Sequence, residues 1–278
     1  MPKILLLHGY MQSDTIVSAK TGALRKALKK MGYQVFTPCG QYPVYSEDVI
    51  QDEIMEKDPE ITTNKYGWWK KSKGENPLSS YKISSDTFKY LHDYLLQNGP
   101  FEGIAGFSQG GGLAGYLATD VPGLLDLPKS FTPSFMLIFS GFRLEPEQLV
   151  KQYKTSPITI PSLHILGEMD TVVDENRSLK LYDECPDDLK TLLRHSGGHV
   201  VPNSKIYVQQ MCAWISANTD GSSLPPSLLN SNSVSTTTLN STENNNKATQ
   251  STTDSKKDLK KPDLDQDLLD MIDGLGKI

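Results

Sequence analysis

The fold is decided by one stretch, Phe101-Glu-Gly-Ile-Ala-Gly-Phe-Ser-Gln-Gly-Gly-Gly-Leu-Ala-Gly-Tyr-Leu-Ala118. Within it, Gly106-Phe-Ser-Gln-Gly110 matches the G-x-S-x-G pattern, which alone is a weak signal. The apolar pair Ile104-Ala105 precedes the pentapeptide, and a helical run of small residues, 111–118, follows it. A strand, a sharp turn and a helix in this order form a nucleophile elbow, whose strained turn leaves its flanking glycines no room for a Cβ atom. The stretch therefore predicts that Ser108 is a nucleophile.

Length and charge narrow the class of protein. The chain has 278 residues and a formal net charge of −5, which allows one large domain or two small ones and disfavours nucleic acid as a partner. We predict no membrane span and no signal peptide, because no long apolar run occurs. Cys39, Cys185 and Cys212 lack the spacing of a disulfide framework or a zinc site. They predict a reducing compartment, the cytoplasm, with the nucleus as a second location.

Short apolar runs alternate with helical patterns over residues 1–217. Besides the strand before Ser108, strands are predicted at 4–7, 33–37, 134–139, 162–166 and 189–194. Besides the helix after Ser108, helices are predicted at 18–31, 84–97, 145–153, 174–182 and 203–216. This alternation predicts an α/β domain with a mostly parallel central sheet and helices on both faces.

The periodicity fails in the segment 40–77, which we interpret as an insertion over the active site. An irregular segment of this length in an α/β domain is usually a short lid or a binding loop. Its aromatic residues have two uses, since they pack the segment down or wall an apolar substrate pocket. The pocket interpretation takes Tyr42, Trp68 and Trp69 from the insertion, together with Phe142 from beyond a later strand.

The composition changes near Ala217, and the segment 218–278 is rich in Ser, Thr and Asn. Such a segment buries too little apolar surface to offset chain entropy, so we predict that it is disordered. Near its end, apolar residues share one helical face opposite carboxylates, namely Leu264, Leu268, Met271 and Ile272. This pattern fits a short acidic amphipathic helix that docks on a protein partner, while composition alone favours a solvated acidic tail.

A serine nucleophile needs a base, an acid that orients the base, and donors for the oxyanion. In α/β-hydrolases these follow in the chain order Ser, Asp or Glu, and His, each after a strand. Ser108, Asp170 and His199 have this order and these positions, and they form the predicted catalytic triad. Asp174 is the alternative acid, but its position fits a helix N-cap.

Of the five histidines, His199 is favoured as the base because it follows a glycine pair after the last strand. His92 and His164 lie inside a predicted helix and a predicted strand, which is typical of packing residues. His8 precedes a glycine where a His-Gly pair usually shapes a turn, and His195 ends a strand.

The oxyanion hole is expected to use two backbone N–H groups. One belongs to Gln109, which opens a helix directly after the nucleophile. The other is expected from the loop after the first strand, at Tyr10 or, as the fallback, at Met11. We predict no metal and no cofactor, because paired metal ligands, a Walker loop and a dinucleotide loop are all missing from the sequence.

Several separate motifs together resemble the FSH family of serine hydrolases. They are Leu7-His-Gly-Tyr-Met-Gln12, Trp68-Trp69, Gly106-Phe-Ser-Gln-Gly110, Ser140-Gly-Phe142, Gly167-Glu-Met-Asp170 and Gly197-Gly-His-Val-Val-Pro202. The resemblance covers residues 1 to about 217 and implies an α/β-hydrolase fold with no large cap domain. It also implies cleavage of esters or thioesters through Ser108, Asp170 and His199.

The predicted function is therefore hydrolysis of small-molecule carboxylic esters or thioesters, with short to long acyl chains, through an acyl-enzyme intermediate. An acyl-protein thioesterase or lysophospholipase-like carboxylesterase is the alternative enzyme, because that group also carries Gly-Phe-Ser-Gln-Gly. From another class, the chain is a catalytically idle scaffold that acts through its C-terminal tail.

Overall fold

The computed structural model describes residues 1–44, 64–70 and 81–219. Residues 45–63 and 71–80, which include most of the insertion predicted at 40–77, lie outside the described residues, and so does the tail from 220 onward. The predictions of a disordered tail and of an acidic C-terminal helix therefore concern residues that the structure does not describe.

The strands are β1 (Lys3–Leu7), β2 (Gln34–Phe36), β3 (Tyr42–Pro43), β4 (Tyr66–Gly67), β5 (Gly103–Phe107), β6 (Phe135–Phe139), β7 (Ser162–Gly167) and β8 (Lys190–His195). The helices are α1 (Asp14–Lys20), α2 (Gly22–Lys30), α3 (Ser85–Asn98), α4 (Gln109–Leu117), α5 (Val121–Leu125), α6 (Glu147–Thr155), α7 (Glu175–Tyr182) and α8 (Lys205–Thr219). A short 3₁₀ helix covers Lys129–Phe131.

Six strands form one parallel sheet in the order β2-β1-β5-β6-β7-β8. The central strands β5 and β6 are buried along their whole length, as expected for a sheet covered on both faces. One core packs α3, α4, α6 and α7 against one face, through Leu91, Leu113, Tyr153 and Leu181. A second core packs α1, α2 and α8 against the other, through Val17, Leu24 and Trp214. The predicted fold class, an α/β-hydrolase sheet with helices on both faces, is confirmed.

Local structure differs from the prediction at residues 18–31, which form two helices and not one. Thr21 ends α1 and precedes α2, and its hydroxyl donates to the Val17 carbonyl at 2.6 Å. A threonine that bonds to the preceding turn bends a helix, and the following Gly22 weakens it further. The helix also begins earlier than predicted, because the side chain of Ser13 caps its N-terminus.

Two short features have no signal in the sequence pattern. The five-residue helix α5 begins where the Asp120 carboxylate accepts the N–H of Gly123 at 2.9 Å, and it is too short to show a hydrophobic period. Within the insertion, β3 and β4 pair as an antiparallel ladder of two residues each. Gln12 extends this contact through an isolated bridge to Tyr66, so the insertion is tied to the loop after β1.

The strand–turn–helix predicted around Ser108 is present, and it depends on close backbone contact. Ser108 has φ 53° and ψ −115°, a conformation that is uncommon for a residue with a side chain. A Cβ atom on Gly106 would overlap the Gly110 carbonyl, and one on Gly110 would overlap the carbonyls of Leu7 and His8. The two glycines therefore allow β5, α4 and the end of β1 to touch through their backbones.

The first prediction concerns this contact. We expect Gly106→Ala to lower the free energy of unfolding by at least about 3 kcal/mol, because the added methyl group meets rigid backbone. Gly22→Ala is the matched control, because nothing lies within 4 Å of the added atom and alanine favours a helix. Urea unfolding of both variants measures the difference, and equal stability of the two would contradict the prediction.

Two buried histidines oppose protonation. His8 has none of its surface exposed, and burial lowers its pKa from 6.5 to about 4. His164, inside β7, is 1% exposed, and burial with the nearby Lys190 charge lowers its pKa to about 3. Its Nε2 atom lies 3.6 Å from the Cys185 thiol sulfur.

The second prediction follows from these two pKa values. Below about pH 6.5 the unfolded chain takes up protons at both histidines, whereas the folded chain excludes them down to about pH 4. The free energy of unfolding should therefore fall from about pH 7 to about pH 5, with a slope of up to about 1.4 kcal/mol per pH unit for each histidine. Urea unfolding at several pH values measures it. His164→Leu should reduce this slope by the contribution of one histidine, up to about 1.4 kcal/mol per pH unit. A free energy of unfolding that does not change with pH in the native chain would contradict the prediction.

Candidate active site

The candidate site lies at the carboxyl edge of the sheet. Because the six strands are parallel, their carboxyl ends meet at this edge, which is where α/β sheets bind ligands. Ser108 follows β5, Asp170 follows β7 and His199 follows β8. His8 follows β1 and Ser140 follows β6 at the same edge.

Ser108 is half-buried at the elbow, where its main chain is held on two sides. Its N–H donates to the Phe139 carbonyl at 2.8 Å, and its own carbonyl accepts the N–H of Gly112 at 2.9 Å. The loop after β1 passes directly beside it, since a Cβ atom on Gly9 would lie 3.4 Å from the Ser108 Cβ atom. A strained residue held in this way is typical of functional sites.

Asp170 and His199 are joined by a hydrogen bond of 2.7 Å between Asp170 Oδ2 and His199 Nδ1. The other carboxylate oxygen, Oδ1, accepts the backbone N–H groups of Val172 and Val173, each at 2.9 Å. Burial raises the pKa of Asp170, but the hydrogen bonds from His199 and Val173 outweigh it, and the pKa lies below its ordinary value. The carboxylate is therefore ionised at neutral pH, His199 Nδ1 is the donor, and Nε2 of the neutral ring carries no proton.

Ser140 is a neighbour of Asp170 that the sequence analysis did not assign to the site. It is 1% exposed, and its backbone has φ 44°. Its hydroxyl has no partner at normal hydrogen-bonding distance within the described residues, yet it lies near enough to lower the pKa of Asp170. Its only sequence signal is the Ser140-Gly-Phe142 motif directly after a predicted strand.

The loop that carries His199 rests on the loop that carries Asp170. The N–H of Met169 donates to the Gly197 carbonyl at 3.1 Å, and a Cβ atom on Gly167 would overlap the carbonyls of Gly197 and Gly198. The His199 ring lies 4.7 Å from the ring of Phe107, the residue before Ser108, measured between centroids. The base candidate therefore stands beside the elbow.

The alternative residues have structural contacts. Asp174 caps α7, as its sequence position predicts, by accepting the N–H of Asn176 at 2.9 Å. His92 lies on α3, with Nδ1 at 2.6 Å from the Leu125 carbonyl. His195 is buried, and its Nδ1 accepts the N–H of Gly197 at 3.2 Å, so it supports the loop that bears His199.

The two oxyanion candidates lie on adjacent elements. Gln109 is the first residue of α4, so its N–H belongs to the helix terminus, where backbone donors lack partners within the helix and favour negative charge. Tyr10 lies in the turn after β1, and its ring would be 2.8 Å from a Cβ atom on Gly67. Met11, the fallback, has φ 58° and marks the tight reversal of this turn.

The side chain of Gln109 holds the insertion against the elbow. Its Oε1 atom accepts the N–H of Trp68 at 2.8 Å, and its Nε2 atom donates to the Trp69 carbonyl at 3.0 Å. The indole N–H of Trp68 donates to the His8 carbonyl at 2.8 Å, and the Thr87 hydroxyl donates to the Trp68 carbonyl at 3.0 Å. No sequence pattern predicts these contacts, because they join residues about 20 to 60 positions apart.

The four predicted pocket residues have different environments. Trp68 is fully buried and Trp69 stacks on Tyr81 with ring centroids 5.0 Å apart, so both pack the insertion down. Tyr42 is half-buried in β3. Phe142 is buried beneath the Arg177 guanidinium, which lies 4.3 Å from its ring centroid. Packing accounts for the two tryptophans, and a pocket lined by these residues stays a prediction.

Residues 1–44, 64–70 and 81–219 contain no group of three His, Cys, Asp or Glu side chains placed to hold a metal ion. Among the helices in this part of the chain, none is long and apolar enough to cross a membrane.

Known proteins similar to this chain identify its family. A family model described as serine hydrolase (FSH1) matches residues 1–211. The chain is 41% identical to Family of serine hydrolases 3 of Saccharomyces cerevisiae, over 99% of this chain and 98% of that protein. It is 31% identical to Esterase OVCA2 of Danio rerio, over 74% of this chain and 93% of that protein.

A solved structure supports the fold. Acyl-protein thioesterase 2 of Zea mays aligns with a TM-score of 0.52 over 78% of this chain and 93% of that one. The identity is 17%, so this likeness bears on the fold alone. The family model ends at residue 211, whereas the yeast relative aligns along nearly the whole chain and thus into the segment after 217. With the family model and both relatives in agreement, the chain belongs to the FSH1 family of serine hydrolases.

Proposed function

We propose that the protein hydrolyses carboxylic esters or thioesters of small molecules through Ser108, Asp170 and His199. The observation that carries the proposal is the 2.7 Å hydrogen bond between Asp170 and His199, at the sheet edge where the strained Ser108 elbow also lies. An ionised acid that accepts the hydrogen bond from Nδ1 of a histidine leaves Nε2 as the base for a neighbouring serine. The Danio rerio relative is named an esterase, which supports the same reaction class.

The reaction proceeds in two halves. His199 Nε2 takes the hydroxyl proton of Ser108 as the oxygen attacks the acyl carbonyl, and the N–H groups of Gln109 and Tyr10 hold the oxyanion. His199 then gives its proton to the leaving alcohol or thiol, which leaves an acyl-enzyme. Water attacks the acyl-enzyme while His199 takes a proton from it. The bond between Ser108 and the acyl group then breaks, His199 returns the proton to Ser108, and the acid product departs. Asp170 stabilises the imidazolium in both halves.

Acyl groups larger than acetyl are the proposed substrates. Three large apolar side chains are exposed within two residues of Asp170 or His199, namely Met169 at 65%, Val172 at 40% and Val200 at 45%. Few other large apolar side chains are exposed in the described part of the chain. Apolar surface beside a reacting centre binds the hydrocarbon part of a substrate. Tyr42 and Phe142 are the residues proposed to extend this wall.

The third prediction tests the nucleophile. Ser108→Ala should lower kcat at least about 1,000-fold, because the acyl-enzyme no longer forms. It should also abolish labelling by a fluorophosphonate. Activity is measured with p-nitrophenyl esters and acyl-CoA from acetyl to palmitoyl and with a palmitoylated peptide, so the same series separates a small-molecule esterase from an acyl-protein thioesterase. Full activity in a folded Ser108→Ala protein would refute the proposal and favour a catalytically idle scaffold.

The fourth prediction separates the two aspartates. Asp170→Asn should lower kcat by about 10,000-fold, because the amide no longer holds the required tautomer of His199. Asp174→Asn is the matched control and should leave kcat unchanged, since asparagine caps a helix as well as aspartate does. Steady-state kinetics on one ester at neutral pH compares them. A larger loss of kcat in Asp174→Asn than in Asp170→Asn would contradict the prediction, because it would identify Asp174 as the acid.

A further inference from the structure

His8 is fully buried directly after β1, and both nitrogens of its ring are engaged. Its Nε2 atom accepts the N–H of Gly40 at 2.7 Å, and its Nδ1 atom lies 2.7 Å from the Gly9 carbonyl oxygen. A backbone N–H can only donate, so Nε2 carries no proton. The proton is therefore on Nδ1, which donates to the Gly9 carbonyl.

The Gly9 carbonyl and the Tyr10 N–H belong to the same peptide unit. A trans peptide is planar, and its carbonyl and N–H point in opposite directions. A hydrogen bond that draws the carbonyl of Gly9 towards the buried imidazole therefore turns the N–H of Tyr10 away from it. This contact sets the direction of one proposed oxyanion donor.

The preceding peptide unit, between His8 and Gly9, is held as well. Its carbonyl accepts the indole N–H of Trp68 at 2.8 Å, and its N–H donates to Gln12 Oε1 at 3.2 Å. A Cβ atom on Gly9 would lie 2.9 Å from the Phe107 ring, so the loop also fits closely against the elbow. Side chains thus fix two consecutive peptide planes.

We propose that His8 is a positioning residue that orients the Gly9–Tyr10 peptide, and that Gly40 and Trp68 make the insertion part of the oxyanion hole. The proposal rests on the proposed function, in which Tyr10 donates to the oxyanion. Packing alone does not explain this imidazole, because an apolar side chain fills buried space without the cost of burying polar groups. The position requires a side chain that donates from Nδ1 to the Gly9 carbonyl and accepts at Nε2, because the acceptor fixes the tautomer.

Two substitutions separate the roles of the ring nitrogens. His8→Asn places an amide N–H near the Nδ1 position, so it keeps the donor to Gly9 and loses the acceptor for Gly40. His8→Gln places an amide oxygen near the Nε2 position, so it keeps the acceptor and loses the donor. We expect His8→Gln to lower kcat about 100-fold with little change in KM, the size of effect seen when an oxyanion donor is lost. His8→Asn should stay within about tenfold of the native kcat, although it leaves the Gly40 N–H unpaired.

Transition-state affinity is the second readout. A trifluoromethyl ketone forms a hemiketal oxyanion with the serine, so its affinity should fall in His8→Gln by the same factor as kcat/KM. Rates are expressed per molecule that reacts to completion with a fluorophosphonate, which removes unfolded protein from the comparison. Trp68→Phe keeps an aromatic ring but removes the donor to the His8 carbonyl, and it should lower kcat about fivefold to tenfold even where a His8 variant does not fold.

The outcomes are distinct. The positioning role would be overturned if His8→Gln and Trp68→Phe kept the native kcat and the native inhibitor affinity. If Ser108→Ala were inactive at the same time, the proposed function would still hold. Equal losses in His8→Asn and His8→Gln that follow thermal stability would also overturn it, since they indicate a packing role. Activity that survives in Ser108→Ala would refute the proposed function itself.

Discussion

The close contact of three backbone segments at the elbow is the constraint on which the rest of the site depends. Gly106 meets the Gly110 carbonyl, and Gly110 meets the carbonyls that end β1. Because no side chain separates these segments, the turn that exposes Ser108 and the loop that precedes Tyr10 form one packed unit. The helix α4 continues the contact, since a Cβ atom on Gly111 would lie 2.8 Å from the Gly141 Cα atom. Ser108, the loop after β1 and the loop after β6 are thus held in position by contacts between their backbones.

Asp170 and His199, the proposed acid and base, form a second unit after the neighbouring strands β7 and β8. The N–H groups of its own turn orient Asp170 through hydrogen bonds to its carboxylate. His199 follows a glycine pair whose backbone packs against the start of that turn. His195 contributes to the same loop by accepting the N–H of Gly197. The two units meet where the His199 ring stands next to Phe107. The site therefore needs few direct contacts between catalytic candidates, because each loop is fixed by its own neighbours.

Much of this arrangement is predictable from the sequence, for a physical reason. Buried parallel strands are continuous apolar runs, and parallel strands bring their carboxyl ends together, so residues that follow such runs are expected to meet. This reasoning locates Ser108, Asp170 and His199 at one edge and distinguishes Asp174 by its capping position. It does not reach the contacts of Ser140, of the Gln109 side chain or of His8. The side chains of Gln109 and His8 bond to backbone 32 to 41 positions away in the chain, and such bonds have no period and no characteristic spacing. The break at Thr21 is missed for a similar reason, since a hydroxyl competes with the helix without altering its apolar stripe.

The insertion acquires a different meaning from these contacts. Interpreted from composition, its tryptophans are candidates to wall a substrate pocket, yet Trp68 is fully buried and bonded to both the elbow helix and the His8 carbonyl. In the proposed mechanism, Gly40 and Trp68 therefore serve the part of the reaction that every ester substrate shares, the developing oxyanion. If the proposal holds, a change in substrate preference that arises within the segment has to leave Gly40 and Trp68 in place, because Gly40 donates to the imidazole of His8 and Trp68 donates to the carbonyl of His8. On the proposed function, the exposed apolar residues near Asp170 and His199 would contact the acyl group. They follow β7 and β8, whereas His8 and its anchors lie after β1, on the other side of β5 and β6 in the sheet order, so the acyl contacts and the oxyanion loop involve separate parts of the sheet edge.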